Sequence, residues 1–299
     1  DKVEKNSLPA KETEPSTEAN ANQTTNPAKK EEDKAPEVQK EGWVLEGNIW
    51  RFYENNAPVL NWKKIHGKWY YFNKDGIMLS DTIFDGYILT SSGAMVDSGW
   101  SKLQDKWYYA NAYGKISQQK WEKIGGVWYY FDQDGVMLSN TIFDDYLFTN
   151  SGAMAENSWV KQGGQWYYAL ASGKLIKNKW DKIGGIWYYF NKDATMASNQ
   201  WQGSYYLKAS GAMAEKEWIF DKNYDSWFYL KSGGAYAVRE WIGSYYLKAG
   251  GYMAKSEWIF DNYYNAWYYL EDSGVYVTGT HKIDGKAHQF QSNGKWIGE

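Results

Sequence analysis

The chain has no cysteine, which excludes disulfides, thiolate metal sites and thiol nucleophiles. Proline is scarce, and four of the five (Pro9, Pro15, Pro27, Pro36) lie in the first 36 residues. Charge of one sign is lacking too: 33 Lys and Arg face 36 Asp and Glu, a net charge of −3. The basic stripe that phosphate backbones demand is therefore missing, and no nucleic-acid partner is expected. No run approaches the ~18 apolar residues that a membrane-spanning helix needs, so no transmembrane segment is expected. No secretory leader opens the sequence, which fits the mature form of an exported protein. There is no phosphate-cradling glycine motif. The acidic loops at Asp221–Asp225 and after Asp261 lack EF-hand spacing, so no metal is expected.

Catalytic constellations are equally thin. His66, His281 and His288 are tied by no motif to a serine or an acid. Asp75, Asp134 and Asp193, like Asp85 and Asp144, recur at equivalent loop positions, where turn chemistry accounts for them. A hydrolase needs one unique pair of carboxylates in a cleft, not one per repeat. The expectation is no enzyme, no catalytic residue and no cofactor.

What the chain has is rings: 19 Trp, 27 Tyr and 11 Phe, or 19% of all residues. None lies in residues 1–41, whose polar composition cannot bury enough apolar surface to offset ordering; that segment reads as an extended low-complexity arm. From Trp43 onward the sequence repeats. Trp62-Lys-Lys-Ile-His-Gly-Lys-Trp69-Tyr70-Tyr71-Phe72, followed by Asp75-Gly76-Ile-Met78, returns at Trp121 and again at Trp180, 59 residues apart each time. Of the 59 pairs aligned between residues 62–120 and 121–179, 33 are identical, too many for coincidence. Each block divides into sub-repeats of about 20 residues, beginning at Trp62, Thr82 and Trp100. After Trp201 the steps become 17, 23 and 17, a 40-residue period. Residues 42–200 and 201–299 are thus two repeat segments.

A unit this short lacks helical periodicity and reads as a β-hairpin plus a loop. His66-Gly67, Gly125-Gly126 and Gly184-Gly185 supply the turns. A lone hairpin is marginal in water, so neighbours must stack, with degenerate first and last units capping the array. Phe72, Phe131, Phe190, Leu207 and the second Tyr of each unit are expected in the core. Units starting at Thr82 and Thr141, with Gly86 and Asp145, lack paired rings, and Trp201 and Trp241 face Ser204 and Ser244. These units should fold without binding.

Trp-x6-Trp-Tyr-Tyr-Phe-x3-Gly-x-Met at this pitch resembles the choline-binding repeat of streptococcal cell-surface proteins, over residues 43–299. The resemblance implies an all-β, left-handed β-solenoid of stacked hairpins. It also implies aromatic cages built from both Trp of one repeat and the first Tyr of the next, with Met on the floor. On this sequence the cages are Trp62, Trp69, Tyr87 with Met78; Trp100, Trp107, Tyr129; and Trp121, Trp128, Tyr146 with Met137. They continue with Trp159, Trp166, Tyr188; Trp180, Trp187, Tyr205 with Met196; and Trp218, Trp227, Tyr245. Trp43, Trp50, Tyr70 form an extra cage in the degenerate first repeat, and Trp258 and Trp267 have His288 as third partner. The implied partners are choline and phosphocholine of wall teichoic and lipoteichoic acids, with other choline-dependent wall proteins or hydrolases as further partners. The implied location is extracellular, on the cell wall. A quaternary ammonium has no N–H to donate and is drawn to ring faces, which suits such sites independently. A glucan-binding aromatic-repeat module or adhesin is the alternative reading.

Overall fold

A computed structural model describes residues 38–299, so all but the last four residues of the expected arm lie outside the described residues. Among the described residues there are strands and turns and no helix. Long antiparallel hairpins pair Asn61–Ile65 with Lys68–Phe72, Lys120–Ile124 with Val127–Phe131, and Lys179–Ile183 with Ile186–Phe190. Short ones pair Thr82–Phe84 with Tyr87–Leu89 and Gln200–Gln202 with Tyr205–Leu207. Two-residue turns with positive φ at both positions match the right-handed strand twist, and the chain supplies them at His66 and Gly67 (47° and 84°) and at Gly125 and Gly126 (58° and 85°). The chain separates into two compact units. One takes the described residues up to Phe143 together with Phe148–Met154; the other takes Asp144–Leu147 and Ala155–Glu299.

Register decides which side chain faces where. Trp62 lies opposite Tyr71 and Lys64 opposite Trp69, so these four share one face of the ribbon. Tyr70 and Phe72 point to the other. Phe72, Phe131, Phe190 and Leu207 are fully buried, as their sequence positions lead one to expect. The second Tyr is not with them. With a period of two it sits on the Trp face, half-buried, its ring packed edge-on against the first Trp: 5.3 Å for Trp62–Tyr71, 5.4 Å for Trp121–Tyr130 and 5.4 Å for Trp180–Tyr189. In the first short hairpin the residue opposite Ile88 is Ile83, so Ile83 and not Thr82 stands where a long hairpin has its first Trp. Ile83 packs with Ile88, Tyr108 and Ile116, an aliphatic filling where other repeats have rings.

Loops are closed by side-chain acceptors. Asn73 Oδ1 accepts the N–H groups of Asp75 and Ile77, Asp132 Oδ1 those of Asp134 and Val136, and Asp193 Oδ1 that of Thr195. Of the acids read as turn residues, Asp193 closes its loop through its carboxylate, whereas Asp75 and Asp134 enter theirs through backbone N–H groups. Successive loops then stack glycine on methionine: a Cβ on Gly93 would lie 2.3 Å from Met78 Sδ, and one on Gly211 2.2 Å from Met196 Sδ.

Gly93 also has φ of +82°, so Gly93→Ala meets both a strained backbone and a blocked space. It should destabilise the chain by about 1–3 kcal/mol, read as a lowered unfolding midpoint in denaturant. A second prediction concerns alkali. Burial holds the phenols of Tyr87, Tyr108, Tyr167, Tyr206, Tyr246 and Tyr268 above the ordinary tyrosine range. Below pH about 10 both folded and unfolded chains carry these phenols neutral. Above it the unfolded chain loses protons first, so stability falls as pH rises through the folded values. Ionisation of these six phenols should therefore accompany unfolding, so that the last part of the phenolate absorbance rises together with loss of structure.

Candidate functional site

The ribbon face that carries both Trp of a hairpin carries the candidate site. The two indoles are diagonal neighbours across the strand pair and stand nearly perpendicular. Centroids are 6.2 Å apart at 88° for Trp43–Trp50, 6.3 Å at 88° for Trp100–Trp107, 6.3 Å at 87° for Trp121–Trp128, and 6.4 Å at 88° for Trp159–Trp166. The next hairpin brings its first Tyr edge-on to the first Trp. The separation is 4.9 Å for Trp43–Tyr70, 5.3 Å for Trp62–Tyr87, 4.9 Å for Trp100–Tyr129 and 4.8 Å for Trp159–Tyr188. It is 5.4 Å for Trp180–Tyr205 and 5.3 Å for Trp218–Tyr245. Across these six the interplanar angles stay between 67° and 73°. The ring groups read from the sequence are therefore brought together as three walls. Tyr146, expected beside Trp121 and Trp128, belongs to the second unit. Seven second-position indoles are exposed, Trp50, Trp107, Trp128, Trp166, Trp187, Trp227 and Trp267 at 38–44%, while Trp69 is half-buried.

The seven methionines follow one rule. The backbone N–H groups of Met78, Met95, Met137, Met154, Met196, Met213 and Met253 are donated, in that order, to the carbonyls of Trp50, Trp69, Trp107, Trp128, Trp166, Trp187 and Trp227, at 2.7–3.1 Å. Where the second ring is absent, the donor is not methionine: Ile116 donates to Gly86, Leu175 to Asp145, Tyr236 to Ser204 and Tyr276 to Ser244. This corrects three assignments. Met78 belongs with Trp43, Trp50 and Tyr70, Met137 with Trp100, Trp107 and Tyr129, and Met196 with Trp159, Trp166 and Tyr188. The Trp62, Trp121 and Trp180 groups instead take Met95, Met154 and Met213. The reason is topological: the hairpin that donates the Tyr also donates the Met, because its loop threads back along the ring-bearing strand.

In the second unit two of these groups enclose measurable cavities. Trp180, Trp187, Tyr205, Met213 and Gly233 line about 300 Å³, and Trp218, Trp227, Tyr245, Met253 and Ser273 about 270 Å³. Neither lining contains a carboxylate. Such a lining offers ring quadrupoles and a polarizable thioether, which attract a cation that needs no hydrogen bond.

The tyrosines of two bare hairpins already carry a cation from the chain itself. Lys115 Nζ lies 4.4 Å above the Tyr87 ring and Lys174 Nζ 4.3 Å above Tyr146. A primary ammonium has protons to place, and these go to the carbonyls of Asp85 and Asp144, with the Asp144 carboxylate 3.4 Å from Lys174. Gly86 leaves room for the Lys115 stem.

Sequence reasoning missed what happens at Trp201 and Trp241. Tyr236 and Tyr276, in the methionine position, swing a ring toward each: Trp201 touches Phe228 (5.0 Å) and Tyr236 (5.7 Å), and Trp241 touches Tyr268 (4.8 Å) and Tyr276 (5.8 Å). Each indole N–H is donated to a buried carboxylate, Asp221 Oδ2 at 2.7 Å and Asp261 Oδ2 at 2.6 Å. The other oxygens accept loop N–H groups, from Asn223 onto Asp221 and from Tyr263 and Tyr264 onto Asp261. The two acidic loops are thus anchors for indoles. At the last group, His288 stands 5.2 Å from Trp258 at 71° and Trp296 lies 5.8 Å away in the methionine position. His66 is at an exposed hairpin turn, and His281 pairs with His288 across the strands.

Known proteins share these features. Models described as choline-binding repeat match residues 195–236 and 119–159, and a putative cell wall binding repeat matches 61–78, 157–175, 178–193 and 256–276. No curated protein sequence matches the chain. Among solved structures, the modular autolysin LytC of Streptococcus pneumoniae is 24% identical at a TM-score of 0.50, over 86% of this chain and 53% of that one. The chain therefore spans about half the length of LytC. Choline-binding protein F of Streptococcus pneumoniae, solved in the presence of a peptidoglycan analogue, is 26% identical at a TM-score of 0.45, over 86% of this chain and 98% of that one. The choline-binding domain of CbpL from Streptococcus pneumoniae is 32% identical at a TM-score of 0.30, over 73% of this chain and 97% of that one. Together these repeat models match just over half of the chain, which places it in the choline-binding repeat family.

Proposed function

We propose that the chain is a non-catalytic cell-wall attachment protein that holds the choline of teichoic and lipoteichoic acids in its ring groups. The observation that carries this reading is the pairing of seven methionines with seven second tryptophans, six of which also have a first Trp packed edge-on by a Tyr of the methionine's own hairpin. Each ring contributes roughly 0.5–2 kcal/mol to a bound quaternary ammonium. A sugar ring needs several hydroxyl partners around the aromatic platform, and apart from the rings themselves the linings of the two cavities offer one polar side chain, Ser273. That disfavours the glucan reading.

The same proposal includes the architecture that the resemblance implies: hairpins of about 20 residues winding left-handedly, with residues 1–41 as an arm and a change of repeat period near residue 200. It places the protein outside the cell on the wall. Wall occupancy itself is the activity: a loaded array displaces choline-dependent hydrolases from their anchors. Several weak cages on one polymer bind by avidity, so no single strong site is required.

Retention on a quaternary-amine resin, with release by free choline and not by soluble glucan, is the primary test. Release by glucan alone would reverse the ligand assignment. Trp187→Ala should remove one site, losing about 1–3 kcal/mol of choline affinity there through lost ring contact and packing, with folding stability little changed. Phe190→Ala should do the opposite, costing about 3–5 kcal/mol of stability from the buried core while the ring geometry of intact groups persists. Calorimetric site counts and melting curves on both variants separate the roles. Competition is tested by adding the protein to a choline-dependent wall hydrolase on purified walls. Lysis should slow in proportion to bound protein, and unchanged lysis at saturation would remove hydrolase displacement from the function.

A further inference from the structure

The last ring group departs from the others at two positions, and both changes concern protons. Trp258 and Trp267 occupy the two indole places, but His288 replaces the tyrosine and Trp296 the methionine. His288 keeps the tyrosine's geometry, 5.2 Å and 71° against 4.8–5.4 Å and 67–73° elsewhere. It is buried, and its pocket measures about 580 Å³, twice that of the Trp180 and Trp218 groups. An imidazole is shorter than a phenol, which accounts for part of the extra room.

The hydrogen bonding selects one state of this imidazole. Trp296 Nε1–H donates to His288 Nδ1 at 3.2 Å, which places the single ring proton of the neutral form on Nε2. A second proton has to enter at Nδ1, and there it expels the indole N–H. The resulting imidazolium is a cation in the wall of a pocket built for a cation. The charged groups around His288 do not cancel it in one direction. His281 lies directly across the strand pair, Asp284 is in the turn, and Lys286 on its own strand is paired with Glu299 at 3.1 Å. From hairpin 257–270 the facing groups are the rings Trp258 and Trp267. Protonation of both His281 and His288 sets like charges opposite one another on the ribbon.

We propose that the pocket of Trp258, Trp267, His288 and Trp296 is a proton-gated quaternary-ammonium site, closed to its ligand when His288 is protonated and open when it is neutral. The proposal rests on the ring groups binding choline. The direction follows from linkage: a bound ammonium favours the neutral imidazole, so acidification must release the ligand here. The Trp180 and Trp218 groups have neither an imidazole nor a carboxylate in their linings. Acidification should therefore empty one site and leave the rest filled.

The test uses the full chain, choline chloride as probe and His Cε1–H NMR signals, with His66, His281 and His288 assigned by single substitution. At saturating choline the His288 titration midpoint should move at least one pH unit lower, and choline affinity at this pocket should fall at least tenfold from pH 7.5 to pH 5. Crystals soaked in choline at the two pH values should show the ligand at Trp180, Trp187 and Tyr205 in both and at Trp258 only in the first. His288→Tyr, which restores the residue of the other groups, should hold choline at both. Equal occupancy of the terminal pocket at both pH values, or a His288 titration unmoved by choline, overturns the gate alone. Absence of choline from the Trp180 group at both overturns the underlying reading, and the gate with it.

Discussion

One hydrogen bond joins fold and site in this protein: the N–H of a loop residue donated to the carbonyl of the second ring position in the preceding hairpin. It recurs from Met78 on Trp50 to Met253 on Trp227. A two-stranded hairpin leaves its edges unsatisfied and buries little by itself, so each depends on such contacts with the next. The same bond sets the height at which the following hairpin docks. That height brings its tyrosine within 4.8–5.4 Å of the first Trp and its methionine beneath the pair. The cage is thus a by-product of how the hairpins hook together, and it forms wherever the side chains at those positions are aromatic. Where they are not, the same bond persists and the space fills with Ile83 and Ile116, or with the ring of Tyr236 or Tyr276.

Local chemistry was legible in the sequence, and threading was not. Glycine pairs marked turns because glycine takes consecutive positive φ values without strain, although Gln104-Asp105 and Asp144-Asp145 adopt them as well. Repetition of Trp-Tyr-Tyr-Phe located the strands and the buried Phe72, Phe131 and Phe190. The three-ring groups followed from the resemblance and the repeat order. The methionine register did not follow, because Met78 is nearer in sequence to Trp62 and Trp69 than to Trp50, while its loop bonds to Trp50. The second Tyr was placed on the wrong face for a simpler reason. Strand alternation puts Tyr71 with Trp69, and reading Tyr-Tyr-Phe as one block overlooks the period of two. The loops at Asp221 and Asp261 lacked metal-ligand spacing and had no role in the sequence, since nothing local shows an indole 20 residues away donating to each carboxylate.

Two ways of holding a cation on tyrosine coexist in the chain, and they differ by what the cation can donate. Lys115 and Lys174 bring N–H protons, so a ring alone leaves them unsatisfied and the carbonyls of Asp85 and Asp144 complete the arrangement. The open ring groups of the second unit have no carboxylate in their linings. A lysine or a free amine entering them would have three N–H protons to place in linings made mostly of rings, whereas a trimethylammonium has none to place. Selectivity thus comes from what the cage withholds as much as from the rings it presents.

Repetition has a further consequence for how attachment responds to its surroundings. When several equivalent weak sites share one polymer, the second and later contacts are made at high effective concentration, and detachment requires many to open together. Altering one site then changes the bound state by a fraction of the whole. A site that differs from its neighbours, as the group containing His288 and Trp296 does, can therefore be sensitive to conditions without endangering attachment. The same change repeated at Tyr70, Tyr129 and Tyr188 would make every contact respond together and turn a graded adjustment into release. That the departure from tyrosine stands at position 288, while those three positions keep their phenols, is the arrangement that separates adjustment from loss of hold.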